Sequence, residues 1–485
     1  MRVVQIAAEF APIAKAGGMG EALLGLTREL VGLNESVELF IPKYSWIDNK
    51  NLKELNLEMA DFRSEEKGQM ISNSIWSAVV EECPLGLIEA HHPSGYFHRE
   101  KIYGYQDDAA RFLYFCKTVM EYLKARGEPI DVLHLHDWHT ACCAYMAREM
   151  RLKVGTILIT VHNFEYQGIC APWDLNAIGI FPDEKFKEDR YPDAINLLRG
   201  GISYADAVVT VSPSYAKESL APRGAFGLSP LLKKKKFKGI LNGICTKSWN
   251  PEEDPNLVAR YSGKGSSSEI TVQKRENKKA LQSLIKLDSL DRPLFGVVMR
   301  LMPSKGSEFL EAAIESILDQ GGAFVLLGYS PIPKIQEQFE RIKEEYSETP
   351  NVFFGYQYQD ALAHRIFAAC DFLLMPSLTE PCGLTQLIAL RYGAIPIAHS
   401  TGGLKDTVFD YEDAMVLPEK RNGIVFHSPT KDSFRDAIKR AVVLWKREAP
   451  LFQLTQKRGM QGDYSWKKGG QEYVKLYRKM LGTLS

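Results

Sequence analysis

Short apolar runs recur along the chain, each closed by glycine, proline or charged residues, and segments with apolar positions three and four apart lie between them. Arg2 to Ala8, Val37 to Ile41, Asp131 to His136, Gly155 to Val161, Leu294 to Met299, Ala323 to Gly328 and Phe372 to Met375 read as strands buried on both faces, the form parallel strands take. Ala22 to Val31, Asp107 to Lys124, Ala363 to Cys370 and Asp432 to Arg447 read as helices, and Ile195 to Val211 as a helix followed by a strand. Ser212 stands where it can cap the next helix. Strands alternating with helices predict an α/β fold with parallel sheets. The stretch from about Asn49 to Glu89 carries no clear period, and no repeat of solenoid type is visible.

At 485 residues the chain exceeds a single hydrophobic core, so two domains of roughly 200 to 250 residues are expected. Trp249-Asn-Pro and the Gly/Ser-rich Ser262 to Ser268 mark the crossover between them. Lys plus Arg and Asp plus Glu stand at 60 each, which removes any bulk electrostatic argument for nucleic acid or an anionic membrane. Any anion site must therefore be local. The eight cysteines show no CxxC and no metal-type spacing with histidines, so they read as free thiols of a reducing compartment. No segment approaches the ~20 apolar residues that span a bilayer. The opening MRVVQIAAEFAP is broken by Glu9 and reads as a strand, not a signal peptide. Cytoplasmic residence is expected.

Candidate chemistry gathers where strands end. After Phe372 to Met375, the Pro376-Ser377 turn delivers a carboxylate at Glu380, and Cys382-Gly383 opens a helix. The first amides of that helix, at Leu384 and Thr385, lack intrahelical partners and form an anion cradle with the helix dipole. A sugar and a phosphate held side by side is one reading; an ordinary strand-loop-helix with a surface Glu is the other. Lys15-Ala-Gly-Gly-Met-Gly-Glu21 fills a second strand-to-helix turn, where Gly17 and Gly18 are free to take positive φ and Lys15 to meet a phosphate. Glycines used for turn geometry alone are the alternative. Arg300 and Lys305 follow a buried strand and can converge on a diphosphate, or are a pair of surface charges.

Further polar groups stand at strand ends, where ligand crevices of parallel sheets lie: Asp137, Trp138 and His139 after one strand, His162 and Asn163 after the next. No second His, Cys or acid stands at ligand spacing from His162, so a metal is rejected. The loop holding Tyr96-Phe-His-Arg and Ile102-Tyr-Gly-Tyr is aromatic-rich and either stacks on sugars or anchors itself in the core. Lys233 to Lys236 reads as a solvated loop, and Asn242-Gly243 as a turn whose Asn is available to a sugar or phosphate oxygen.

Glu380-Pro-Cys-Gly-Leu-Thr-Gln-Leu, Arg391-Tyr-Gly and Thr401-Gly-Gly-Leu-Lys-Asp-Thr-Val closely resemble the bacterial glycogen synthase and plant starch synthase family. The Lys15 loop, Asp137-Trp-His139, the His162 turn and Arg300-Leu-x-x-x-Lys305-Gly fall in that family's order, so the resemblance spans nearly the whole chain. It departs at Ala16, Met19 and Glu21, at Cys245, which replaces an acid, and at Gly328-Tyr329-Ser330-Pro331, which replaces Gly-x-Gly-Asp or Glu. The resemblance implies a GT-B fold: two Rossmann-like domains facing across a deep cleft, residues 1–245 on the acceptor side and 246–460 on the donor side, with 461–485 crossing back as a helix around Gln471 to Met480. It implies transfer of glucose from a nucleotide diphosphate to the non-reducing 4-hydroxyl of an α-1,4-glucan such as glycogen, with retention and with no cofactor. ADP-glucose is the implied donor, and the Gly328 to Pro331 departure leaves UDP-glucose open.

Site roles follow from the same resemblance. Lys15, Gly17, Gly18, Asn242, Arg300, Lys305, Cys382, Gly383, Leu384 and Thr385 would bind the donor, with Glu380 on hydroxyls of its glucose. The carbonyl of His162 would ease charge at the anomeric carbon. Glu9, Glu21, Tyr96, Asp137, His139 and Asn163 would border the acceptor. No motif supplies the nucleophile and acid about 5 Å apart that a double-displacement glycosidase uses, so same-face attack is favoured, the leaving phosphate taking the acceptor's proton. Two other classes are open. Glycogen phosphorylase shares the architecture but needs a pyridoxal phosphate lysine and a longer chain; a non-catalytic glucan-binding protein would not need the diphosphate cations.

Overall fold

The computed structural model describes residues 1–222 and 224–483. The chain divides into two compact units, one made of Met1–Gly243 together with the segment from Trp466 onward, the other of Ile244–Ser465. Among the described residues no helix is long and apolar enough to cross a membrane.

The first unit contains β1 (Arg2–Ile6), β2 (Ser36–Pro42), β3 (Lys53–Glu66), β4 (Gln69–Val80), β5 (Cys83–Ala90), β6 (Ile130–His136), β7 (Val154–Val161), β8 (Ile169–Cys170), β9 (Ile195–Asn196), β10 (Ala207–Thr210) and β11 (Lys236–Gly239). Strands β8 and β9 form a two-stranded sheet of their own; the rest form one sheet in the order β11-β10-β7-β6-β1-β2-β5-β4-β3. From β11 to β5 neighbours run parallel, and β5-β4-β3 is an antiparallel extension. That extension occupies the stretch whose sequence shows no period. The reason is solvent: most of β3 is exposed, so it has no apolar face to display, and its pairing with β4 shifts register three times.

The C-terminal helix Lys467–Met480 lies on this sheet. Trp466, Tyr473 and Tyr477 join Val3, Leu26, Leu30, Val132, Leu158, Ala207 and Ile240 in one buried cluster. Tyr477 Oη and His134 Nδ1 are 2.8 Å apart, and Tyr473 Oη and Thr160 Oγ1 are 3.1 Å apart.

The second unit is built on β12 (Leu294–Val298), β13 (Ala323–Leu327), β14 (Val352–Gly355), β15 (Phe372–Met375), β16 (Ile395–His399) and β17 (Ile424–Phe426), all parallel, in the order β14-β13-β12-β15-β16-β17. Successive side chains go to opposite faces. Leu294, Val298, Val325, Leu327, Leu373 and Met375 pack into one core, while Phe295, Val297, Phe324, Leu326, Phe372 and Leu374 pack into the other. This is why these strands read as unbroken apolar runs. The Gly/Ser-rich stretch expected at the domain crossover lies inside this unit instead. Ser266 there forms a reciprocal capping box with Glu269 at the start of the helix Ser267–Ile285, and Trp249 belongs to the core.

Each sheet has a point where strand order reverses. In the first unit the chain leaves β1 for β2 on one side, while β6 is followed by β7 on the other. In the second it leaves β12 for β13 and β15 for β16. The loops leaving β1 and β6, and those leaving β12 and β15, are therefore where a ligand crevice forms in such sheets.

Candidate active site

At the reversal point of the second sheet the loop after β12 carries Arg300 and Lys305, and the loop after β15 carries Glu380. Lys305 Nζ stands 2.6 Å from Glu380 Oε2, and Ser377 Oγ donates to the same oxygen at 3.1 Å. Glu380 is only 5% exposed, so its charge is held by one ammonium and one hydroxyl instead of by water. The backbone fixes this meeting. Ser304 O accepts from Leu378 N at 2.9 Å and Thr379 N at 3.2 Å, and Glu380 O accepts from Gly403 N at 2.9 Å. Gly306 has φ +67° and lies so close to Pro376 that a Cβ would meet its carbonyl oxygen at 2.1 Å. Gly403 approaches Cys382 equally closely, a Cβ there standing 2.1 Å from the Cys382 carbonyl oxygen. Only glycine fits at both places. Arg300 is exposed and makes no ion pair or hydrogen bond among the described residues.

Gly383 takes φ +73° and opens the helix Thr385–Arg391, with Leu384 at its N-cap. The helix has fewer than two full turns, so the cradle expected from its dipole reduces to the local amides of Leu384 and Thr385. Gln386, completely buried, braces the turn by donating to Cys382 O at 3.0 Å and Gly383 O at 2.8 Å. Just after β13, Gly328 admits the Met299 carbonyl, which would lie 1.9 Å from a Cβ. Tyr329 after it is 44% exposed, and Ser330 N donates to Gln336 Oε1 at 2.9 Å.

In the first unit the loop after β1 is organised by a carboxylate. Glu9 is 3% exposed; its Oε2 accepts from Ala16 N at 2.8 Å and Gly17 N at 3.0 Å, and its Oε1 from Tyr103 Oη at 2.9 Å. The Ala16 and Gly17 amides are thus committed to Glu9 and not open to a phosphate, and Glu9 is spent on the loop instead of facing an acceptor. Gly17 is extended at φ −158°, and Gly18 begins the helix Gly18–Gly32, so neither takes up the positive φ that glycine leaves open. Lys15 Nζ pairs with Glu21 Oε1 at 2.7 Å.

The ends of β6 and β7 are tied together. Asp137 Oδ1 accepts from His162 N at 2.6 Å, with Asp137 held at φ +58°, which a non-glycine residue adopts only when its surroundings demand it. Burial pushes the Asp137 carboxyl up to about 7 and the His162 imidazole down to about 4. His139 is 7% exposed, is pushed down by burial, and packs at ring-centroid distances of 4.7 Å from Tyr103 and 4.8 Å from Phe112. Its Nδ1 is buried without a partner among the described residues. Asn163 Oδ1 accepts from Glu165 N at 3.0 Å in a local turn.

Several expectations change here. Tyr96 is 3% exposed, stacks on His92 at 3.7 Å and donates to Glu66 at 2.9 Å, so of the two readings of its loop the structure takes anchoring. The Lys233 to Lys236 run is not simply a solvated loop: Lys235 Nζ donates to Ser203 O at 2.7 Å and Ala205 O at 2.8 Å, capping a helix end, and Lys236 begins β11. Asn242 is buried with its Oδ1 unpartnered among the described residues, and Cys245 Sγ accepts from Ser248 at 3.3 Å. Tyr103, which secures Glu9, lies in the aromatic loop; its role was hidden because nothing in the sequence pairs it with a residue so far away.

Two family models match the chain, starch synthase catalytic domain over residues 2–234 and glycosyl transferases group 1 over residues 282–452. A glycogen synthase of Protochlamydia amoebophila is 42% identical over 99% of this chain and 99% of its own. A probable starch synthase 4 of Arabidopsis thaliana is 39% identical over 99% of this chain and 47% of its own length. The solved catalytic domain of starch synthase IV from Arabidopsis thaliana, bound to ADP and acarbose, covers 99% of both chains at 39% identity with a TM-score of 0.93. Sucrose-phosphate synthase from Thermosynechococcus elongatus, 18% identical with a TM-score of 0.63, shares the fold alone. With full-length identity at this level and both catalytic family models matched in order, the chain belongs to the bacterial glycogen synthase and plant starch synthase family of GT-B glycosyltransferases.

Proposed function

We propose that this protein is a glycogen synthase that transfers glucose from ADP-glucose to the non-reducing 4-hydroxyl of an α-1,4-glucan with retention of configuration. The observation that carries the reading is the Lys305–Glu380–Ser377 contact at the reversal point of the second sheet. It sets a cation beside a buried carboxylate, which suits a phosphate next to a sugar. The family membership and the ADP and acarbose held by the starch synthase IV domain support the same donor and acceptor classes.

In this reading Arg300, Lys305, Lys15 and the amides of Leu384 and Thr385 stabilise the departing diphosphate, and Glu380 holds donor hydroxyls. Charge builds on the phosphate as the anomeric carbon becomes oxocarbenium-like, and fixed cations and amides answer it without reorganising. The acceptor's hydroxyl attacks from the face the phosphate leaves, passing its proton to the phosphate, while the His162 carbonyl faces the developing positive charge. Cytoplasmic residence fits the free thiols, all buried except the partly exposed Cys170.

The test is an assay of purified protein on glycogen with ADP-glucose and UDP-glucose in parallel, with the anomer of the new linkage read by NMR. ADP-glucose is expected to give the higher kcat/KM and an α product; a preference for UDP-glucose would move the donor assignment alone. Glu380→Ala is expected to lower kcat by roughly 10² to 10³, the size of losing one electrostatic contact at the reacting centre. An alanine variant with unchanged kcat would remove Glu380 from the mechanism.

A further inference from the structure

The first unit holds a line of buried polar side chains that none of these roles uses. Gln5 on β1 is completely buried; its amide nitrogen donates to Thr27 Oγ1 at 2.9 Å, and its oxygen lies 3.1 Å from His136 Nε2. His136 ends β6 at 1% exposure and places Nδ1 3.3 Å from His162 Nε2. Because β1, β6 and β7 are adjacent parallel strands, the line crosses the sheet at its carboxyl edge and stops at His162. His134 packs on the His136 ring at a centroid distance of 4.1 Å, which restrains its plane.

The protons along this line are ordered. In the amide orientation the structure gives, the Gln5 oxygen faces His136 Nε2 and can only accept, so His136 Nε2 carries the hydrogen. A neutral imidazole has one N–H, which leaves His136 Nδ1 an acceptor, and the facing nitrogen, His162 Nε2, must then be the donor. Burial pushes both rings down, His162 to about 4, so both are neutral near pH 7 and the tautomer is the only variable. His162 Nδ1 is left as a bare acceptor with no protein partner among the described residues.

We infer that Gln5 and His136 are positioning residues of the transfer site, fixing His162 as the Nε2–H tautomer so that Nδ1 accepts a hydroxyl hydrogen from the donor sugar. The inference rests on the reading of His162 as a neighbour of that sugar. It explains why two strands invest buried polar groups at a sheet edge where apolar side chains would otherwise pack, since the line is completed when a ligand hydroxyl meets His162 Nδ1.

The experiment uses full-length protein labelled with ¹⁵N-histidine, in which two-bond ¹H–¹⁵N spectra distinguish protonated from bare ring nitrogens. Wild type is expected to show His162 protonated at Nε2. Gln5→Met fills the space without an acceptor; it is expected to give a tautomer mixture at His162 and about a tenfold loss of kcat, the weight of one hydrogen bond, with KM for the donor little changed. His136→Asn, which keeps an oxygen where Nδ1 stood, is expected to preserve the tautomer and most of kcat, while His136→Leu loses both. Should Gln5→Met fail to fold, the His136 pair carries the test. A wild-type His162 protonated at Nδ1, a Gln5→Met protein with mixed tautomers and full kcat, or equal losses in the Asn and Leu variants would each overturn the inference. His162→Ala at full rate would instead remove His162 from the reaction, a failure of the functional reading that the spectra of wild type do not depend on.

Discussion

Asp137 and the buried histidines act in opposite directions on stability. An ordinary aspartate releases its proton near pH ~3.9, but burial holds the Asp137 proton to about 7. Between those limits the folded protein keeps a proton that the unfolded chain has lost, so this group makes the fold less stable as pH rises through the window. His162, pushed down to about 4, and His134, pushed down to about 3, do the reverse. Below an unfolded pKa near ~6.5 the unfolded chain takes up protons that the folded rings refuse, and stability is lost as pH falls. In the wild type the two slopes offset. Asp137→Asn keeps an oxygen for His162 N and removes the carboxyl titration, so the histidine slope should stand alone. The fall in melting temperature between pH 7 and pH 4.5 is expected to be larger in Asp137→Asn than in the wild type; equal falls would place the Asp137 pKa near its ordinary value. The same residue shows where reading a sequence stops. Its place at a strand end was legible, whereas its left-handed backbone and its bond to His162 N depend on β6 and β7 lying side by side. Glu9 is the sharper case, because a carboxylate at a strand end looks the same in sequence whether it faces a ligand or holds its own loop.

At the level of elements, what could be read depended on burial. Strands β1, β6, β7, β12, β13 and β15 are covered on both faces and announce themselves as apolar runs, while β3 and β4, largely or partly in solvent, do not. The C-terminal helix was legible as a helix and its return to the first unit was implied by the resemblance, but the contact that anchors it was not legible, since His134 and Tyr477 stand 343 residues apart. That anchorage makes two predictions about one element. Tyr477→Phe removes the hydroxyl facing His134 Nδ1 and leaves a buried nitrogen unpaired, at a cost of about 1–3 kcal/mol. Gly25 lies directly under Trp466, so that an added Cβ would sit 2.0 Å from the indole ring. Gly25→Ala must therefore displace a residue that is 4% exposed, and overpacking of this kind costs about 1–3 kcal/mol. Both variants should lower the melting temperature and speed proteolytic cleavage near Ser465, with activity at low temperature retained. Resistance equal to wild type in both would mean that the helix contributes little to the first unit.

At the scale of the whole molecule the two units differ in how they are cut from the chain. The second is one uninterrupted segment, Ile244–Ser465, and both faces of its six-stranded sheet are covered by its own residues. Arg300, Lys305, Glu380 and the turn at Gly383 all belong to it. A polypeptide of residues 244–465 should therefore fold with a cooperative transition and bind ADP, more weakly when Lys305 is replaced by Met. The first unit is discontinuous. Residues 1–243 alone leave uncovered the face of Ala22, Leu26, Val132, Ala207 and Ile240, on which Trp466, Tyr473 and Tyr477 pack. Contiguous apolar surface of that kind drives association. Residues 1–243 should accordingly aggregate or bind hydrophobic dye, and joining residues 466–485 through a short linker should restore a soluble monomer with a higher melting temperature. If 1–243 were monomeric and melted like the relinked protein, the terminal helix would be an accessory to the first unit and not part of its core. If 244–465 stayed unfolded, the second sheet would depend on contacts outside its own segment, and the binding of ADP could not be assigned to that unit alone.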